Sequence, residues 1–165
     1  MKDLQGYYNQ IIDWNKKAGV KDHEFSTLDW ERAVELQSKL LVEEATETVD
    51  AMAVGNMKEL LDGAVDTFVI LSKLFDMLEK AGFDVEGGIQ QIIDNNQNKI
   101  FNSFYEACEA KEKLEERDDV EYYIETSVLN NISFYTCRRP DGKIAKPVGF
   151  VAVELDSFIP KEVQV

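Results

Sequence analysis

The stretches Leu40–Met52, "LLVEEATETVDAM", and Leu60–Leu71, "LLDGAVDTFVIL", decide the fold. Each carries apolar residues at helical spacing, and each sets acids among them. Spacings of three and four put Glu44 with Glu47, and Asp62 with Asp66, on single helical faces. At about 100° per residue, Glu44 falls at the angle of Leu40 and Ala33, inside the apolar arc. Glu47 lies beside Leu36 and Leu40, and Asp66 stands between Val69 and Ile70. Carboxylates in an apolar arc must neutralise, pair or hold a cation. Those faces offer no Lys or Arg, so a divalent cation is the simplest answer. If the two helices form a hairpin about Gly55-Asn56, the two acid clusters face each other.

Working outward, a first helix is expected over about Lys2 to Ala18, with Leu4, Tyr7, Tyr8, Ile11, Ile12 and Trp14 on its inner face and Gly19 as its stop. Ser26 or Thr27 can start the second helix, which runs to about Val54. The third spans roughly Met57 to Ala81 and is apolar on nearly every side, as at the centre of a bundle. A fourth helical stretch, "VEGGIQQIIDNNQNKIF", leads to Ser103-x-x-Glu106, the spacing of a capping box. The acidic segment "EACEAKEKLEERDD" reads as an exposed helix. After Val120, "VEYYIETSV" and "ISFYTC" are β-branched and aromatic, and "RRPDGKIAKP" holds a Pro-Asp-Gly turn. The fold class is therefore mainly α, a helical bundle with a small C-terminal β-ribbon or extended appendage, in one domain over 1–165.

The chain carries 32 acidic against 18 basic residues, a formal charge of −14. Such a balance argues against binding a nucleic-acid backbone or an anionic membrane surface. Cys108 and Cys137 lack Cys-x-x-Cys spacing and read as free thiols of a reducing, cytoplasmic setting. Neither a signal peptide nor a membrane-length apolar run is expected. A carboxylate-bridged di-iron bundle needs Glu-x-x-His from two helices, and the one histidine, His23, falls in a loop. Magnesium suits the acids better, since it takes hard oxygen ligands and shares them with substrate phosphates; manganese is an alternative.

Glu-Glu-x-x-Glu on one helix, followed by a carboxylate motif ending in Asp on the next, resembles the all-α nucleotide pyrophosphohydrolases, the superfamily of MazG-like enzymes, dimeric dUTPases and phosphoribosyl-ATP pyrophosphohydrolases. "WNKKAG", "NNQNK" at Asn95–Lys99 and "DGKIAKPVGF" are similar to segments of MazG-like or phosphoribosyl-ATP pyrophosphohydrolase-like members. The resemblance covers most of the chain and leaves about 102–133 as an insertion. The usual second motif is Glu-x-x-Asp; Gly63 occupies the place of its Glu, and Asp62 stands one residue earlier.

The resemblance implies a MazG-like bundle that hydrolyses a (deoxy)nucleoside triphosphate between its α- and β-phosphates, giving a monophosphate and pyrophosphate. It makes Glu44, Glu47 and Asp66 the main metal ligands, with Asp62 a substitute ligand. Glu43 or Asp62 completes the shell or accepts the proton of the attacking water, so Glu43 and Glu44 are the candidate catalytic residues. It also implies a homo-oligomer, a dimer or tetramer. Candidate substrate contacts are Lys99, Lys143, Lys146 and Asn96 for phosphate, and Gln37 and Trp30 for the base. Trp14 is expected in the core, and Arg138 and Arg139 are read equally as phosphate contacts or as parts of a solvated hairpin. Two rival functions stand beside this one: hydrolysis of a related phosphate anhydride such as phosphoribosyl-ATP, and a non-catalytic acidic helical interaction protein.

Overall fold

The computed structural model describes residues 3–161. Among them are five α-helices and one two-stranded antiparallel sheet, in two compact units: residues up to Val85 with those from Phe158, and Glu86–Ser157. The chain is mainly helical, as expected, with a small β-ribbon.

The first unit holds α1 (Leu4–Lys17), α2 (Leu28–Ala53) and α3 (Met57–Lys80). Each start is fixed by a side chain that accepts an otherwise unpartnered N–H of the first turn. Asp3 accepts from Gly6 at 2.7 Å, Thr27 from Trp30 at 3.2 Å and Asn56 from Glu59 at 3.3 Å. Thr27, rather than Ser26, is thus the cap of α2. The link from α2 to α3 is so short that the helices must run antiparallel, and Gly55 turns it at φ +71°. α1 lies against α3, where Tyr8 Oη donates to Glu79 Oε2 at 2.9 Å. Near the far end of α3, Lys73 and Asp76 are buried, and both Lys73 and Lys80 reach Asp22 and Asp76 at 2.8–3.1 Å. Two ammonium groups and two carboxylates close a neutral ring, which makes burial of the charges tolerable.

The second unit holds α4 (Val85–Gln97), α5 (Phe104–Asp118), β1 (Tyr123–Leu129) and β2 (Ile132–Arg138). Asn130 and Asn131, both at positive φ, make the tight turn between the strands, and Leu129 already pairs with Ile132. α5 is not the exposed helix its charges suggested. Ala107, Ala110 and Leu114, at spacings of three and four, are buried, and Ala110 and Leu114 pack with Tyr122, Cys137 and Ala145. Small residues on one stripe let α5 approach the ribbon; Glu106, Glu109, Glu112 and Glu116 face out, while Glu115 and Asp118 accept from Tyr122. Ser103 sits at the start of α5 with extended backbone but makes no side-chain capping bond, so the expected capping box does not form.

Leu4, Tyr7 and Trp14, expected on the inner face of α1, are exposed, Trp14 at 61%. Trp14 lines an open groove of about 1060 Å³ between α1 and α3, with Tyr7, Gln10, Phe68 and Val65. Among the described residues, no helix is long and apolar enough to cross a membrane.

Candidate functional site

The half-buried positions of α2 follow a helical stripe: Trp30, Ala33, Val34, Gln37, Leu40, Leu41, Glu44 and Thr48, ending in buried Ala51. Glu44 therefore lies on the packed face, at the angle its spacing from Leu40 and Ala33 gave. Its carboxyl is raised above the ordinary glutamate range, first by loss of surrounding water and then by the charges of Glu47, Asp66, Glu43 and Asp62. The four acids expected to share a site with Glu44 thus lie close enough to act on it. Among the described residues, none of the five takes part in an ion pair.

Burial of the other four does not follow expectation. Glu43, Glu47, Asp62 and Asp66 are exposed in the single chain. The apolar residues beside them are exposed as well: Leu36, Val42, Val49, Leu61 and Val65 are each at least half open. Apolar neighbours in sequence are core neighbours only where another element covers them, and among the described residues of the first unit none covers this side of the hairpin. Asp66 also lines the α1/α3 groove, at the edge of its apolar wall.

Gly63 is buried where α3 approaches α2 closely. A Cβ at this position would lie 2.6 Å from Thr48 Oγ1 and 3.3 Å from both the Glu44 carbonyl oxygen and the Thr48 amide nitrogen. Residue 63 therefore points at the backbone of α2, where a glycine lets the two helices approach closely. A glutamate there would force the helices apart. Asp62, turned by about 100°, keeps a carboxylate near Glu44 without meeting that backbone. The buried contact of Gly63 with Thr48 is a feature the sequence reading missed; a small residue four on from Glu44, opposite a glycine on the next helix, was its signal.

The donor chemistry of this hairpin fits a hard divalent cation: carboxylate oxygens only, like charges crowded on Glu44, and, among the described residues, no basic side chain paired with them. Among the described residues, no three acidic, histidine or cysteine side chains stand close enough together to hold a metal ion. The acids form an open field rather than a closed cage.

The candidate base contacts of α2 are engaged in packing. Trp30 meets Phe25 edge to face, at 4.9 Å between ring centres, and Gln37 is half-buried on the stripe that carries Glu44. In the second unit, Lys99 and Lys146 are brought to one ring: their Nζ atoms lie 5.3 and 5.6 Å from the centre of Phe150. Asn96 accepts from Lys99 Nζ at 2.5 Å. Lys143 stands exposed on the Pro-Asp-Gly turn, its N–H donating to Asp141 at 3.0 Å. Arg138 donates to the Gly142 carbonyl at 2.7 Å and Arg139 pairs with Asp141 at 3.3 Å, so both arginines brace the turn. Phe150 and Asn95 were not singled out in the sequence; the aromatic residue closing "KPVGF" was the available signal.

No family model, curated protein or solved structure matches this chain.

Proposed function

We propose that the chain is a magnesium-dependent nucleotide pyrophosphohydrolase of the MazG-like type, cleaving a nucleoside triphosphate between its α- and β-phosphates. The observation that carries this reading is Glu44: a half-buried carboxyl at the α2/α3 contact, its pKa raised first by loss of water and then by four neighbouring carboxylates, and paired with no cation among the described residues. An acid field of this kind is costly to assemble and useful only when positive charge is brought to it. Glu44, Glu47, Asp62 and Asp66 would hold the ion. Once bound, magnesium supplies charge neutralisation for the polyphosphate and acidifies the attacking water. The chain's own part is to position: the close Gly63–Thr48 contact fixes the hairpin, and Glu43, exposed beside Glu44, is free to accept a proton. The apolar groove beside Asp66, with Trp14, Tyr7 and Phe68 in its wall, offers the base a surface and Gln10 a polar contact.

The exposed apolar residues of α2, Leu36, Val42, Val49 and Met52, favour a homo-oligomer in which another copy covers this side. A cytoplasmic setting goes with the free thiols Cys108 and Cys137. The exposure of Glu43, Glu47, Asp62 and Asp66 favours one rival, a non-catalytic acidic protein that binds a basic partner. Incubation with a panel of ribo- and deoxyribonucleoside triphosphates and phosphoribosyl-ATP, with magnesium, manganese or chelator, separates the readings. Metal-dependent release of pyrophosphate and the matching monophosphate is the expected result. No turnover of any member under any metal overturns the hydrolase reading.

A further inference from the structure

The two edges of the ribbon differ. On β2, Tyr135 exchanges two backbone bonds with Phe101, at 2.8 and 2.9 Å, and the Cys137 carbonyl accepts the Ala145 N–H at 2.8 Å. Both residues therefore turn their backbone groups away from β1. Their partners across the ribbon are Thr126 and Ile124, and Val128 follows in the same alternation opposite Ser133. The N–H and C=O groups of Ile124, Thr126 and Val128 thus point outward along the other side of β1. Among the described residues no backbone group bonds them, and β2 is the one strand beside β1.

An open edge invites a further strand, and proteins blunt such edges with proline, lysine, a bulge or a covering segment. β1, Tyr123-Ile-Glu-Thr-Ser-Val-Leu129, has none of the first three, and its pairing with β2 is unbroken along its length. Thr126 and Val128 are exposed, and Glu125 is the one charge on the strand.

The order of residues makes this edge complementary to itself. Two copies of β1 laid antiparallel about a two-fold axis at Thr126 set Thr126 against the partner's Thr126, and Ile124 against the partner's Val128. Every outward N–H and C=O of both strands is then matched. The remaining neighbours are Tyr123 with the partner's Leu129 and Glu125 with the partner's Ser127, so no like charges meet. An axis at Glu125 would face two carboxylates across the seam. An axis at Ser127 would leave the outward groups of Ile124 without a strand opposite them.

We propose that β1 docks a second copy of this chain, joining two ribbons into one four-stranded antiparallel sheet with Thr126 on the two-fold axis. The contact owes nothing to the pyrophosphohydrolase reading, since β1 falls in the stretch 102–133 that the resemblance leaves out, and it uses no residue of α2. Thr126→Cys, oxidised mildly with diamide, tests the register. Opposed residues of a hydrogen-bonded pair lie about 5.5 Å apart at Cα, within disulfide reach. Val128 and the partner's Val128 would stand about 13 Å apart along the strands. A non-reducing gel should show a covalent dimer from Thr126→Cys, and from Val128→Cys no more than the parent chain gives. Sedimentation equilibrium reads the assembly itself. Thr126→Pro removes an outward N–H and no bond to β2, and Thr126→Lys faces two ammonium groups across the axis; each should halve the mass found for the parent. Thermal melts show that each variant is folded. No cross-link at 126 above the parent, equal cross-linking at 126 and 128, or a mass that the folded variants leave unchanged overturns the proposal. Neither metal nor nucleotide enters these measurements, so this contact and the hydrolase reading stand or fall separately.

Discussion

Gly63→Ala places a methyl group 2.6 Å from Thr48 Oγ1 and 3.3 Å from two backbone atoms of α2, the Glu44 oxygen and the Thr48 nitrogen. The nearest of these can move. Rotating Thr48 takes Oγ1 away, but it breaks the 2.8 Å bond to the Glu44 carbonyl, a loss of about 1 kcal/mol. The backbone atoms cannot move alone, so the helices must part by a few tenths of an ångström. Overpacking of this kind costs about 1–3 kcal/mol, and alanine in a helix interior returns about 1 kcal/mol over glycine. The net expectation is a loss of about 1–3 kcal/mol, read as a lower urea midpoint at unchanged slope. Thr48→Ala removes the closest contact and leaves the other two. The double variant should therefore be about 1 kcal/mol more stable than the two single losses added together. If Gly63→Ala is as stable as the parent, or the double variant is simply additive, the α2/α3 contact is not closed at Gly63 and the account of the displaced acid fails.

Two further outcomes follow from the charges of the first unit. Glu44 has a folded-state pKa above the ordinary 4.5, so its contribution is fully present below that value and lost as pH rises through the raised one. Metal-free Glu44→Gln, locked in the neutral state, should melt above the parent at pH 7, and the gap should close by about pH 4; a gap independent of pH counts against the crowding of acids on Glu44. Lys73→Met removes the buried ammonium that bonds Asp76 at 3.0 Å and should cost about 3 kcal/mol, the low end for breaking a buried pair, since Lys80 still holds Asp76. Chemical denaturation reads it, and a loss under about 1 kcal/mol would show that the ring of charges contributes little.

The helices of the first unit were legible because their signals are local. Thr27, Asn56 and the short Gly55 link announce a hairpin before any packing is known, and the stripe through Leu40 places Glu44 on its inner face. What the sequence misstated is coverage. Periodicity marks which residues share a face but not whether anything lies over it, so Asp66 and Val65 read as interior and stand exposed. The same limit hid Trp14, whose apolar face opens on a groove. α5 erred in the opposite direction, because its acids outnumber a buried stripe made largely of alanines. Lys99 and Lys146 could be named singly, but their meeting at Phe150 depends on a turn and an asparagine bridge that join distant segments.

The central claim, that the hairpin acids hold a metal for phosphate-anhydride hydrolysis, is tested most directly by pyrophosphate release from the best substrate of the panel. The parent chain is compared with Glu44→Gln and Asp66→Asn, each first shown to be folded by its thermal transition. Magnesium-dependent release by the parent is expected, abolished by chelator and reduced about 100-fold or more in both variants. Full activity in both variants, or release that chelator leaves untouched, would contradict it.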